Sequence, residues 1–166
     1  LRDNDILLIA DEVVTGFGRL GSMFGSDHYN ITPDIITIAK GLTSAYAPLS
    51  GSIVSKKIWK VMEQGTDENG PIGHGWTYSA HPICAAAGVA NLKYLDDMNL
   101  INNVKEVGKY LLDELNNAFN NHPLVGEVRG EGMIASLEFL ENKEKIKFFD
   151  ASKKIGMKVA ANLLKE

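Results

Sequence analysis

The sequence predicts an α/β fold, and three observations carry that prediction. Two short runs of apolar residues, Ile6-Leu7-Leu8-Ile9-Ala10 and Ile35-Ile36-Thr37-Ile38-Ala39, have the length of strands. Nearly continuous apolar character, rather than strict alternation, fits strands buried on both faces, as in parallel sheets. Two long stretches, Pro82 to Met98 and Leu100 to His122, carry helical features, so strand-like and helix-like segments succeed one another along the chain.

The remaining elements follow in order. Leu49 to Ser55, centred on Ile53-Val54, is a weaker third strand, and Lys56 to Glu63 reads as a short helix. Gly65 to Gly75 is rich in Gly, Asp, Asn and Pro and reads as a loop. Pro82 suits the first turn of the next helix, because its missing N–H is not needed there. The small residues Ala85-Ala86-Ala87-Gly88 within that helix predict close packing. In the following stretch Val104, Val107, Leu111, Leu115 and Phe119 recur at spacings of three and four, which is the mark of an amphipathic helix. Met133 to Phe139 partly alternates and reads as a strand, and Asp150 to Glu166 as a last helix with Ile155, Val159 and Leu163 on one face. There is no internal repeat and no low-complexity tract.

Composition narrows the function classes. The 166 residues are 45% hydrophobic and carry a net charge of −4, with no basic face of the kind nucleic-acid binders show. No apolar run approaches the roughly 18 residues a membrane span needs. Cys84 is the single cysteine, so no internal disulfide forms. This and an N-terminus unlike a signal peptide suit a reducing, cytoplasmic setting. The chain begins without Met and ends inside an amphipathic pattern, so both ends read as cuts through a larger protein.

Asp11 directly follows the first apolar run and Lys40 the second, 29 positions later. Open α/β sheets bind ligands at the carboxyl ends of their strands, so two opposite charges there can meet in one crevice. A structural ion pair or two solvated loop residues is the plainer alternative. The local sequences favour the crevice. Asp11-Glu12-Val13-Val14-Thr15-Gly16-Phe17-Gly18-Arg19, Ala39-Lys40-Gly41-Leu42-Thr43-Ser44-Ala45-Tyr46-Ala47-Pro48-Leu49 and Trp76-Thr77-Tyr78-Ser79-Ala80-His81-Pro82 stand in order. They resemble the aspartate, lysine and Thr-Tyr-Ser-Gly-His-Pro segments of the class III (omega-aminotransferase-like) aminotransferases, enzymes of pyridoxal 5′-phosphate (PLP). Ala80 stands where that family usually has Gly, a change not expected to break the turn.

The resemblance implies the aspartate aminotransferase-like fold (fold type I), with a mixed, mostly parallel sheet. Residues 1–101 would be the later part of the large PLP-binding domain. Residues 102–166 would be a linking helix and the first part of the smaller C-terminal α/β domain. It implies that Lys40 forms the Schiff base with the cofactor aldehyde and then moves a proton, work that requires the neutral amine. Asp11 would accept a hydrogen bond from the pyridine nitrogen and keep the ring an electron sink. Glu12, beside it, competes for that role on residue type alone. Val13 would pack on the ring face, Val14 would face the substrate, and Thr77, helped by the Trp76 N–H, would contact the phosphate of the neighbouring subunit's cofactor. A homodimer with shared sites follows from that last expectation. Arg129 reads as structural.

The implied reaction moves an amino group from an amine or omega-amino acid to a keto acid such as pyruvate. Relatives in the family use the same cofactor for decarboxylation, racemisation or intramolecular amino transfer. An inactive fragment serving only as scaffold is the alternative outside enzymology. Two weaker signals are set aside. Gly16-Phe17-Gly18-Arg19-Leu20-Gly21 matches G-x-G-x-x-G, but a dinucleotide site needs it at the strand-to-helix turn, with an acidic residue ending the next strand. His74, His81 and Cys84 match no common zinc spacing.

Overall fold

The computed structural model describes residues 1–165, with the side chain of Arg2 outside the description. The last stretch is thereby followed to Lys165, two residues past the end of its helix, and Glu166 lies outside the described residues. The chain divides into two compact units, Leu1–Lys105 and Glu106–Glu166.

The first unit is built on a three-stranded mixed sheet in the order β1-β2-β3, with β1 at Ile9–Asp11, β2 at Ile35–Ile38 and β3 at Gly51–Val54. β1 runs parallel to β2 with Ile9 opposite Ile35 and Asp11 opposite Thr37, and β3 runs antiparallel to β2. β1 is shorter than its apolar run. Ahead of it, the Leu8 carbonyl accepts from Asp34 N and Ile35 N, and Leu8 N donates to Asp34 Oδ2 at 2.9 Å. Residues 6–8 therefore approach the start of β2 without extending the ladder. The two-sided burial expected of these strands is not met among the described residues, where Ile9 stays 58% exposed.

Between β1 and β2 the chain forms a chain of turns and the short helix α1, Gly25–His28. Phe17 and Leu20 are buried, and Phe17 meets Phe24 edge-on with ring centroids 5.5 Å apart. Gly16 to Gly21 lies wholly in these turns, so no helix opens on it and the dinucleotide geometry is absent there.

α2 runs Lys56–Asn69, longer than the expected helix and well into the expected loop. The Ser55 hydroxyl caps it by accepting from Ile58 N. The added turns are held by Thr66 Oγ1 to the Met62 carbonyl and by the Gln64–Glu68 side-chain pair, local bonds that outweigh Gly65. Gly70, at φ 86, ends it. α3, Pro82–Asp97, has Pro in its first turn as the sequence predicts, and exposes apolar residues on several sides, Ile83, Val89 and Tyr94 among them.

α4, Leu100–Phe119, crosses the division between the units. In the second unit a sheet of order β4-β5-β6 (Val125–Glu131, Ile134–Asn142, Lys147–Phe148) is antiparallel throughout, with Val125 and Leu140 buried. β4 and β6 are absent from the sequence expectation. Gly126 and Gly130 break the apolar pattern of β4, and β6 is two residues long. Gly108 of α4 lies against the β4–β5 turn so closely that an added Cβ would stand 2.5 Å from the Gly132 carbonyl oxygen. The expected last helix splits. Asp150 caps a 3-10 turn, Lys154 adopts φ 48, and α5 then runs Ile155–Leu163. Arg129 donates to Glu127 Oε2 on its own strand at 2.7 Å and to Glu138 Oε2 across the β4–β5 ladder at 3.0 Å.

Candidate active site

Parallel pairing of β1 with β2 brings Asp11 and Lys40 to the same edge of the sheet. Asp11 is the last residue of β1, and its partner in register, Thr37, precedes Lys40 by three positions. Both are at the carboxyl ends of their strands, the edge where α/β sheets bind ligands.

The Asp11 carboxylate is oriented by two local donors. Val13 N donates to Oδ1 at 3.1 Å and Thr37 Oγ1 donates to the same oxygen at 3.3 Å. Oδ2 accepts no hydrogen bond among the described residues. Thr37 is a functional neighbour the sequence reading does not single out; its signal is one hydroxyl in an otherwise apolar strand.

Glu12 has a different surrounding. It is 2% exposed, and its carboxylate accepts from Gly25 N at 2.8 Å, from Ser26 N at 2.6 Å and from the Thr15 hydroxyl. Gly25 and Ser26 open α1, so the carboxylate satisfies N–H groups that a helix start leaves without partners. Burial pushes the Glu12 carboxyl up, but the bonds from Thr15, Ser26 and Gly25 outweigh it and hold the group below the ordinary 4.5. All of these donors belong to the protein, so Glu12 acts as an anchor for the turn that follows Asp11.

Lys40 opens a 3-10 turn, Lys40–Leu42, with φ 39, in the left-handed region that costs a non-glycine residue energy. Its side chain is exposed, and Nζ makes no hydrogen bond or ion pair among the described residues. The backbone around it is tied down. Leu42 N donates to the Ala39 carbonyl at 2.9 Å, Thr43 Oγ1 donates to the Ala47 carbonyl at 2.6 Å, and Thr43 is 2% exposed. On one side Gly41 faces Phe17, whose Cβ would stand 3.1 Å from an added Cβ. On the other side α3 presents Asn91, whose Nδ2 donates to the carbonyls of Gly41 and Leu42.

Trp76 and Thr77 lie in the loop between α2 and α3. Trp76 N donates to Ser79 Oγ at 3.2 Å, its ring meets His74 edge-on, and its side chain is largely exposed. Thr77 is exposed, and no hydrogen bond or ring contact joins either residue to Asp11 or Lys40. A groove of ≈ 550 Å³ is lined by Pro48, Leu49, Ser50, Trp76, Tyr78, Ser79 and Ala80. The turn tolerates Ala80, but at φ 53, a conformation glycine adopts at far lower cost. Among the described residues His74, His81 and Cys84 form no metal-binding cluster, and no helix is long and apolar enough to cross a membrane.

Comparison with known proteins places the chain in a family. The family model described as aminotransferase class-III matches residues 1–162. The chain is 57% identical over 162 residues to a diaminobutyrate–2-oxoglutarate transaminase from Halomonas elongata, covering 98% of this chain and 34% of that protein. A solved transaminase from directed evolution by ancestral reconstruction superposes with a TM-score of 0.97 at 61% identity, over 99% of this chain and 36% of that one. An (S)-enantioselective omega-transaminase from Thermomicrobium roseum superposes with a TM-score of 0.91 at 42% identity, over 97% and 35%. The chain therefore spans about a third of the length of the relatives it matches. With a sheet edge that pairs an oriented carboxylate with an unpartnered lysine, and with these likenesses along nearly its whole length, the chain belongs to the class III aminotransferase family.

Proposed function

We propose that the full-length protein is a PLP-dependent transaminase that moves an amino group from an amine or omega-amino acid to a 2-oxo acid such as pyruvate. The observation that carries the reading is the placement of Asp11 and Lys40 at the carboxyl ends of adjacent parallel strands. The donor set fits the cofactor. An acceptor oxygen without a partner, Asp11 Oδ2, suits a protonated pyridine nitrogen, and the resulting bond is charge-assisted. A primary amine without a partner, Lys40 Nζ, suits an aldehyde.

When bound, PLP supplies an aldehyde that condenses with amines and a protonated ring that takes up electron density from the substrate carbon. Lys40 Nζ would hold the cofactor through its aldehyde and, as a neutral amine, would take up and return a proton at the substrate Cα. Asp11 keeps the ring nitrogen protonated, and Thr37 and Val13 N hold Asp11 in place to do so. Val13 would pack on the ring face and Val14 would border the substrate. Thr77 and Trp76 reach the phosphate of the cofactor in a partner subunit. The protein is then a cytoplasmic homodimer with shared sites. Residues 1–101 belong to the large domain, and residues 102–166 to the linking helix and the start of the small one.

The donor class rests on relatives that act on diaminobutyrate or are omega-transaminases. The Halomonas relative's acceptor, 2-oxoglutarate, makes that acid the first alternative to pyruvate. The test is product identification with the full-length protein, PLP, an omega-amino acid and each acceptor in turn. Formation of alanine or glutamate, matched by the donor's carbonyl product, supports the reading. Release of CO₂ or racemised donor without amino transfer overturns it.

A further inference from the structure

Asn91 reaches the turn that carries Lys40 with both ends of its amide. Nδ2 donates to the Gly41 carbonyl at 2.8 Å and to the Leu42 carbonyl at 3.2 Å, while Oδ1 accepts from Ser44 Oγ at 2.7 Å. Two carbonyls demand a donor and a hydroxyl supplies one, so the amide's orientation is dictated by its partners. The reach depends on Gly88, one turn earlier on the same face of α3 and buried. An added Cβ at Gly88 would stand 3.1 Å from Leu49 Cδ2 and 3.8 Å from the Leu42 carbonyl oxygen, so the missing side chain brings the helix to the turn.

The turn needs such a clamp. Lys40, Ser44 and Ala45 have φ of 39, 49 and 63, three non-glycine residues in the left-handed region within six positions. Strain of that kind persists only where the surroundings over-determine the backbone. Gly41 on the Phe17 side and Asn91 on the α3 side supply the two walls.

We propose that Asn91 is a positioning residue for the catalytic lysine: it sets the backbone angle from which the Lys40 side chain leaves the sheet, and Ser44 in turn orients Asn91. This rests on the assignment of Lys40 as the cofactor-binding amine. Asn91→Asp is the main probe, because it keeps size and shape while removing both donors and setting a carboxylate against two carbonyl oxygens. Ser44→Ala is the milder one.

The experiment uses the full-length protein. Borohydride reduction of the wild type with PLP, followed by peptide mapping, first identifies the labelled lysine; a label away from Lys40 removes the premise and overturns the proposal. With the label on Lys40, Asn91→Asp is expected to lower kcat at least about tenfold while the donor KM stays within about twofold, since misplaced geometry at the reacting group acts on the chemical step. It is also expected to move the pH at which the bound cofactor's visible band changes. In cofactor-free protein the amides of Leu42 to Ser44 should exchange with solvent about tenfold faster, with α3 beyond Asn91 unchanged. Ser44→Ala should give the same changes at about threefold, and it carries the test by itself where Asn91→Asp does not fold. A label on Lys40 together with unchanged kcat, band position and local exchange in these variants, even with a lowered Tm, overturns the proposal.

Discussion

Replacing Glu12 by Gln keeps the side chain's shape and halves its acceptor capacity. Three donors converge on the two oxygens of Glu12: Thr15 Oγ1 and Gly25 N on Oε2, and Ser26 N on Oε1. A glutamine has one oxygen, so whichever way its amide lies, an NH₂ group faces a buried backbone N–H. A hydrogen bond to a charged acceptor is worth about 1.5–3 kcal/mol, and a buried donor left without a partner costs about 1–3 kcal/mol. Removing the charge returns part of its desolvation cost, so Glu12→Gln should destabilise by about 2–3 kcal/mol. The pH dependence has a definite sign. The folded carboxyl is held below the ordinary 4.5, so its stabilisation is present above that value and is lost as pH falls through the lower, folded one. The gap between wild type and variant, taken from urea midpoints at constant m, should therefore close in acid. Asp11→Asn should behave oppositely, with stability within about 0.5 kcal/mol of wild type but turnover reduced about 100-fold. A loss below about 0.5 kcal/mol for Glu12→Gln, or a gap that widens in acid, refutes the anchoring account.

Three other perturbations probe separate parts of the chain. Gly108→Ala should destabilise by about 2–4 kcal/mol despite alanine's better helix propensity, because its Cβ meets Gly132 backbone at 2.5 Å; denaturant titration measures it. Ala80→Gly should stabilise by about 0.5–1 kcal/mol, the left-handed cost at φ 53 exceeding the added freedom of the unfolded chain, and a rise in Tm reads it. Lys147 and Lys153 hold the Glu141 carboxyl at about 2, so this stabilisation is present above the ordinary 4.5 and lost as pH falls towards 2. Both lysines are exposed, so the effect is small, and Glu141→Gln or high salt should flatten the acid limb of the stability curve alike.

Much of this architecture is legible in the residues. The apolar run Ile35–Ala39 delivers β2, and Pro82 marks the start of α3, because burial and backbone chemistry act within each segment. The α/β class follows from their alternation. Asp11 and Lys40 are legible as strand-end charges, and parallel pairing of β1 with β2 supplies their common edge. What is not legible depends on contacts distant in sequence. Asp11 and Glu12 are equivalent carboxylates in the sequence. They differ because the chain returns at Gly25 and Ser26 to bond one of them. Asn91 lies 50 positions from Gly41, and nothing local to α3 announces that its amide meets the lysine turn. β4 escapes for another reason. Its glycines, Gly130 where an added Cβ would stand 2.3 Å from the Ile134 carbonyl oxygen and Gly126 where it would meet Leu140, interrupt the apolar pattern that would mark a strand.

Lys40 is the amine proposed to bind PLP. Borohydride reduction of the full-length protein with PLP, followed by peptide mass mapping, tests it most directly. One pyridoxyl label is expected, on the peptide containing Lys40, together with loss of both label and turnover in Lys40→Ala. A label on a different lysine, or none on a protein that still transfers amino groups, would contradict it.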